Sequence, residues 1–178
     1  MQDVMLDLET MGTGPQAAIV AIGAVEFDVQ SQLIGEEFYV VVDLESSVAH
    51  GGVIDASTVL WWLKQSDAAR AAFDRSGTSL TAALIQFSSW MTARAPRENV
   101  RVWGNGAAFD NVILASAYRQ ANITQPWLFW NDRCYRTVKA LSPAVTMQRN
   151  GTHHNALDDA ESQARHLIDM LANRSTVC

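Results

Sequence analysis

The sequence predicts an α/β fold built on a mixed sheet, and three observations carry that prediction. Three β-rich segments occupy residues 1–42, amphipathic helical segments dominate the rest of the chain, and two further short apolar runs interrupt those helices. The 178 residues, 48 % of them hydrophobic, suffice for one domain with a sizeable core. No internal repeat, low-complexity tract or long linker divides them, so residues 1–178 are expected to form a single domain.

Residues 3–8 read as a buried strand, and Met11-Gly12-Thr13-Gly14-Pro15 as a turn. Residues 18–27 are β-rich and 38–42 alternate less cleanly; they supply the second and third strands of an antiparallel meander. Ser57 reads as the N-cap of a helix through Trp61, Trp62 and Leu63, and Asp67-Ala68-Ala69-Arg70 as a second short helix. Across residues 80–93, Leu84, Phe87, Trp90 and Met91 recur at helical spacing. Val100-Arg101-Val102-Trp103 is a fourth strand, ended by Gly104-Asn105-Gly106. A helix over residues 108–120 comes next, with Val112, Ile113 and Ala117 on one side. Residues 127–133 are expected to hold the fifth strand and 137–141 a helix. The last helix spans 155–172, with Leu157, Ala160, Ala164, Ile168 and Leu171 as its apolar stripe.

Composition excludes several classes. No apolar run approaches the roughly 20 residues of a membrane span, and the first residues lack the basic-then-apolar pattern of a signal peptide. Cys134 and Cys178 make no disulfide framework, so a cytoplasmic address is expected. A net charge of −6 argues against gripping a long nucleic-acid backbone, which takes many basic contacts. It leaves open recognition of a short end through bound cations. Lys64 and Lys139 are the only lysines; the remaining basic residues are arginines, suited to bidentate phosphate contacts.

The chemistry concentrates in three segments. Asp7 and Glu9 stand two residues apart on the first strand, so both face one way. Like charges held so close raise each other's pKa unless a cation lies between them, and a divalent metal resolves the conflict. Asp110 opens the helix after the fourth strand. His153-His154-Asn155-Ala156-Leu157-Asp158-Asp159-Ala160 opens the last helix. Taken singly, Asp110, Asp158 and Asp159 have an equally good reading as charges that complement a helix dipole.

Together these segments are more specific. Asp-x-Glu on a first strand, an aromatic-Asp pair starting a later helix, and His-x-Ala-x-x-Asp near the C-terminus resemble the DEDDh 3′–5′ exonucleases, which have the ribonuclease H-like fold. The matching residues are Asp7, Glu9, Asp110, His154 and Asp159, in family order over nearly the whole chain. Asp7-Leu8-Glu9-Thr10-Met11-Gly12, Ser57-Thr58-Val59-Leu60-Trp61-Trp62 and Asn131-Asp132-Arg133 resemble the DexA-type and RNase AS branch of phage and bacterial exonucleases. That branch contains both DNA and RNA exonucleases. Each doublet offers two candidates: motif spacing selects His154 with Asp159 over His153 with Asp158, while helical geometry does not separate them.

The resemblance implies a 3′–5′ exonuclease acting on the 3′ end of single-stranded nucleic acid with two divalent ions, Mg²⁺ or Mn²⁺. It implies that Asp7 bridges both ions, that Glu9 and Asp159 serve the nucleophile side, and that Asp110 acts through water. It makes His154 the general base. It also implies that the backbone around Thr10 and Met11 meets the terminal nucleotide. Trp61 or Trp62 would stack on a base, although adjacent tryptophans diverge on a helix and one belongs to the core. Asn105 and Phe109 are expected at the substrate, with capping and packing as their plainer roles. Arg133 and Arg136 have phosphate binding, an intersubunit contact and a surface ion pair as alternatives. A homodimer is the expected assembly. The competing classes are a non-catalytic nucleic-acid-binding module of the same fold and an internally cutting transposase or resolvase; the complete acid and histidine set argues against the first, and the His-x-Ala-x-x-Asp element against the second.

Overall fold

The computed structural model describes residues 2–73 and 75–175, with the side chains of 173–175 left aside. Cys178 lies outside the described residues. Three antiparallel strands come first: β1 (Asp3–Thr10), β2 (Ile19–Asp28) and β3 (Leu33–Val41). The helices α1 (Leu44–Ala49), α2 (Ala56–Trp62), α3 (Asp67–Arg70) and α4 (Leu80–Thr92) come next. The strand β4 (Arg101–Gly104), helix α5 (Asp110–Gln120), strand β5 (Asp132–Cys134) and helices α6 (Tyr135–Ala140) and α7 (Ala156–Ser175) complete the fold. The sheet order is β3-β2-β1-β4-β5, with β1 parallel to β4 and β4 parallel to β5. This is the mixed five-stranded sheet with flanking helices expected from the sequence.

The period of two along the strands decides the layering. Val4, Leu6 and Leu8 of β1 and Ile22 and Ala24 of β2 pack on one side against Leu84 and Phe87 of α4 and Ile113 and Leu114 of α5. Met5, Val25 and Phe27 pack on the other side against Tyr135 of α6 and Ala160, Ala164 and Leu167 of α7. Asp7 and Glu9 alternate with Leu6 and Leu8, so they share the α7 side. A third cluster, Met11, Ala18, Val20, Trp62 and Ala69, seats α2 and α3 beside the end of β1. Among the described residues no helix is long and apolar enough to cross a membrane.

Several boundaries differ from expectation. α1 had no apolar periodicity to announce it; it is capped by Asp43, whose Oδ1 accepts the Ser46 N–H at 2.7 Å. α2 starts at Ala56 with Asp55, not Ser57, at its N-cap. The Asp55 carboxylate is occupied elsewhere, accepting the Thr13 N–H at 2.9 Å. β3 begins at Leu33 because it is an edge strand whose Glu36 and Glu37 face water and break the hydrophobic pattern. The apolar run 127–130 is not a strand. Trp127 is fully buried, its indole N–H bonded to Asp132 Oδ1 at 2.8 Å, while Phe129 and Trp130 point outward in a short 3₁₀ turn. β5 is therefore only Asp132–Cys134. α5 starts at Asp110 rather than at Ala108, and α6 at Tyr135 rather than at Thr137.

α7 lies so close to the sheet that β2 has room only for glycine where they meet. A Cβ on Gly23 would fall 2.2 Å from the Ala156 carbonyl carbon and 2.3 Å from the Leu157 nitrogen. Gly23 is paired with Asp7, so this contact sets the height of the α7 N-terminus above the acids. Gly23→Ala is expected to destabilise the protein by about 1–3 kcal/mol in urea unfolding, the usual cost of overpacking. A neutral result would mean that α7 does not rest on β2.

Candidate active site

The site begins where β4 ends. β4 pairs with β1 up to Gly104↔Leu6 and stops, leaving β1 beyond Leu6 without a strand on that side. The first residue of α5 fills the gap. Asp110 Oδ1 accepts the Leu8 N–H at 3.2 Å and Oδ2 accepts the Asn105 N–H at 2.9 Å, so a carboxylate replaces the missing strand. Only a glycine at 104 permits this approach: a Cβ there would lie 2.3 Å from Asn111 Oδ1 and 3.1 Å from Asp110 Cβ.

Asp7 and Glu9 reach the same space from β1, and Asp159 reaches it from the first turn of α7. One carboxylate oxygen from each of these three lies within 4.8 Å of the others. Gln163, one helical turn beyond Asp159, donates from Nε2 to Asp7 Oδ1 at 2.8 Å. Glu9, Asp110 and Asp159 are only 7 %, 2 % and 8 % exposed. Burial, with the charges of Asp110, Glu9 and Asp159 added, raises the Asp7 carboxyl well above its usual range, and the Gln163 hydrogen bond opposes this. Burial and the charges of Asp159 and Asp110 push Glu9 up to about 8. Burial pushes Asp110 to about 7, against the N–H groups of Leu8 and Asn105 and the Arg136 charge, which pull it down.

These carboxylates fit a hard divalent cation. Glu9 Oε1 is buried with no hydrogen-bond partner. No Lys or Arg among the described residues forms an ion pair with Asp7 or Glu9. Carboxylate oxygens converging from β1 and α7, one of them without any partner, match the chemistry of Mg²⁺ or Mn²⁺.

The two aspartates separate in space, whereas the two histidines stay together at the cavity. Asp158 turns to the loop, where Oδ2 accepts the Thr152 N–H at 2.6 Å and the carboxylate fills the room beside Gly151. Asp159 turns to the acids, its Oδ2 accepting the His154 N–H at 3.0 Å and its Oδ1 accepting from Arg149 at 2.5 Å. His154 holds a left-handed backbone, φ 65°, a conformation that costs a non-glycine residue about 1–2 kcal/mol. Its ring meets the edge of Trp61 at 4.8 Å and stacks on the exposed His153 ring at 3.7 Å. Burial first, then the neighbouring His153, lowers the His154 pKa below its ordinary value; Asp159 opposes them.

A cavity of about 490 Å³ opens over the acids. Asp7, Glu9, Asp110, His154, Asp159, Thr10, Trp61, Trp62, Asn105 and Phe109 all line it, as do Arg136, Arg149, His153 and Gln163. Met11 does not. Its side chain packs with Trp62 and Ala18, its N–H donates to Ala18 O at 2.8 Å, and its carbonyl accepts the Asp55 N–H at 2.8 Å. The tryptophans divide: Trp62 is buried with its indole N–H on Thr10 O at 2.9 Å, whereas Trp61 is 41 % exposed. Arg136 holds the Asn105 carbonyl at 2.7 Å, while Arg133 bonds the carbonyls of Trp130 and Asp132 outside the cavity. Sequence reasoning missed Gln163 and Arg149. Gln163 was findable, being at i+4 from Asp159; Arg149 lies in a loop with no periodic signal.

A mixed sheet in this order, with acids at the end of its first strand and at the openings of two later helices, is the architecture of the ribonuclease H-like exonucleases. The nuclease domain of 3′hExo, a DEDDh family member solved bound to rAMP, is similar with a TM-score of 0.65 at 14 % identity, covering 96 % of this chain and 92 % of that one. E. coli Exonuclease I in complex with a dT13 oligonucleotide is similar with a TM-score of 0.62 at 17 % identity, over 98 % of this chain and 41 % of that one. In sequence, the chain is 27 % identical over 166 residues to the exodeoxyribonuclease of Enterobacteria phage T4, covering 79 % of this chain and 72 % of the relative. The model of the 3′–5′ exoribonuclease Rv2179c-like domain matches residues 2–171, and the chain belongs to that family. It is therefore an exonuclease, and the DEDDh resemblance read from its motifs is borne out.

A carboxyl whose pKa is raised by folding binds more protons folded than unfolded, so stability falls as pH rises between its two values. For Glu9 that window runs from 4.5 to about 8, and for Asp110 from 3.8 to about 7. The melting temperature of the EDTA-treated protein is expected to drop across this range. Added Mg²⁺ or Mn²⁺ should raise it more at the alkaline end, because binding to the folded state alone stabilises that state. A profile that rises with pH would contradict the buried acid cluster.

Proposed function

We propose that this chain removes nucleotides from the 3′ end of single-stranded nucleic acid, with two divalent ions held by Asp7, Glu9, Asp110 and Asp159 and with His154 as general base. The observation that carries the reading is the convergence of carboxylate oxygens from Asp7, Glu9 and Asp159 within 4.8 Å, in a cavity that Asp110 and His154 also line. Ions bound there, Mg²⁺ or Mn²⁺, supply charge neutralisation and Lewis-acid polarisation of the phosphodiester.

The chain's own groups do the remaining work. Asp7 spans the centre of the acid cluster, oriented by Gln163, and Asp110 is held rigid by two backbone N–H donors. His154, kept neutral near neutral pH by its lowered pKa, accepts at a ring nitrogen the proton that a water molecule loses as it attacks phosphorus. Its backbone N–H bond to Asp159 anchors the residue at the cavity, and its ring packs against Trp61. The exposed face of Trp61 stacks on a terminal base, and Trp62 positions the Thr10 carbonyl. Asn105 and Phe109 line the same cavity. A homodimer and a cytoplasmic setting belong to the same reading; Cys134, a free thiol, is compatible with the latter.

The decisive assay uses matched single-stranded DNA and RNA oligonucleotides labelled at the 3′ or the 5′ end. With Mg²⁺ or Mn²⁺, the 3′ label is expected to leave as a mononucleotide while the 5′-labelled strand shortens stepwise. EDTA or Asp7→Ala should stop both. Mononucleotide release from the 5′ label, or no attack on either strand, would sink the proposal. His154→Ala is expected to slow the single-turnover rate by roughly 10²–10⁴-fold, the usual contribution of general acid–base catalysis. An unchanged rate would remove His154 from the mechanism.

A further inference from the structure

The ion pair that the acid cluster makes, among the described residues, is Arg149 with Asp159. Arg149 comes from the loop before α7 and lines the cavity. Its guanidinium carries five N–H donors, of which the bond to Asp159 Oδ1 is the one engaged among the described residues. The side chain is 46 % exposed where it lines the cavity.

Asp159 has both oxygens committed: Oδ1 to Arg149 and Oδ2 to the His154 N–H. A cation shared with Asp7 and Glu9 must compete with the guanidinium for Asp159, because two positive groups on one carboxylate repel. The side chain can yield without moving its backbone. Asn150 is pinned to α7, its N–H donating at 3.0 Å to Ser162 Oγ, whose own proton goes to the Asp158 carbonyl at 2.8 Å. The Thr152 N–H is pinned to Asp158 at 2.6 Å. A displaced guanidinium thus stays over the cavity with its donors free. The anion that ion loading brings into that cavity is a phosphodiester, whose oxygens a planar guanidinium binds two at a time.

We propose that Arg149 is a substrate-binding residue shared between two anions: Asp159 before ion loading, and a phosphodiester oxygen of the bound strand afterwards. The consequence is an order of events. Ions release Arg149, the released arginine binds the strand, and by reciprocity the strand tightens ion binding. The inference rests on the two-ion reading above.

The test needs no turnover. Mn²⁺ is titrated by calorimetry into EDTA-stripped wild type, Arg149→Gln and Arg149→Lys. A fluorescent oligonucleotide with a hydrolysis-resistant 3′ linkage is then bound to each in saturating Mn²⁺, and circular dichroism verifies folding. Arg149→Gln is expected to bind Mn²⁺ severalfold more tightly and the strand about tenfold more weakly, the scale of one charged hydrogen bond. Arg149→Lys keeps the charge without the fork and should fall between on both measurements. Weakened Mn²⁺ binding in Arg149→Gln, or strand binding equal to wild type, would overturn the proposal alone. Failure of the wild type to bind Mn²⁺ would overturn the metal-site reading together with it.

Discussion

Buried like charge is the constraint on which the rest of this structure depends. Asp7, Glu9 and Asp159 bring oxygens within 4.8 Å of one another, with Asp110 close enough to act on them. At an effective dielectric near 20, each such pair of full charges costs roughly 3.5 kcal/mol or more. Three pairs would rival the whole stability of an ordinary domain, about 5–15 kcal/mol. The fully ionised cluster therefore needs a partner, and protons or cations are the two available. Raised carboxyl pKa values are the proton answer; divalent ions are the answer that also does chemistry.

The fold delivers these acids by leaving backbone unfinished. β4 stops one pairing short of Asp7, and the N–H it would have covered is taken by Asp110. α7 aims its N-terminus at the cluster, where its dipole offsets negative charge, and Gly23 lets it descend onto β2. His154 turns left-handed to place its N–H on Asp159. Each device gives up a little local stability, and packing on the two faces of the sheet holds all of them in place.

Much of this was legible in residue pattern. Alternation along residues 3–10 already set Asp7 and Glu9 on the face opposite Leu6 and Leu8. Helical period identified α4 and α7 because each buries an apolar stripe. The failures are those of segments whose conformation is decided from outside. Residues 127–130 are as apolar as a strand, yet Trp127 turns inward to Asp132 while Phe129 and Trp130 turn out. α1 is held by Asp43 and serine hydroxyls, not by apolar period. Met11 belongs to the same motif as Asp7 and Glu9, but its backbone bonds to Ala18 and Asp55 leave it out of the cavity.

By itself the sequence determined the fold class and the family and singled out the candidate acids and histidine by motif spacing, because strand and helix periods are local and the motif order is linear. Only the tertiary structure turned Asp159 to the acids and Asp158 to the loop, buried Trp62 while exposing Trp61, and brought Gln163 and Arg149 to the acids. On an isolated helix the paired candidates differ by a rotation of about 100°. Which of them meets the acids depends on where α7 and α2 rest against the sheet, and that is a property of contacts between distant residues.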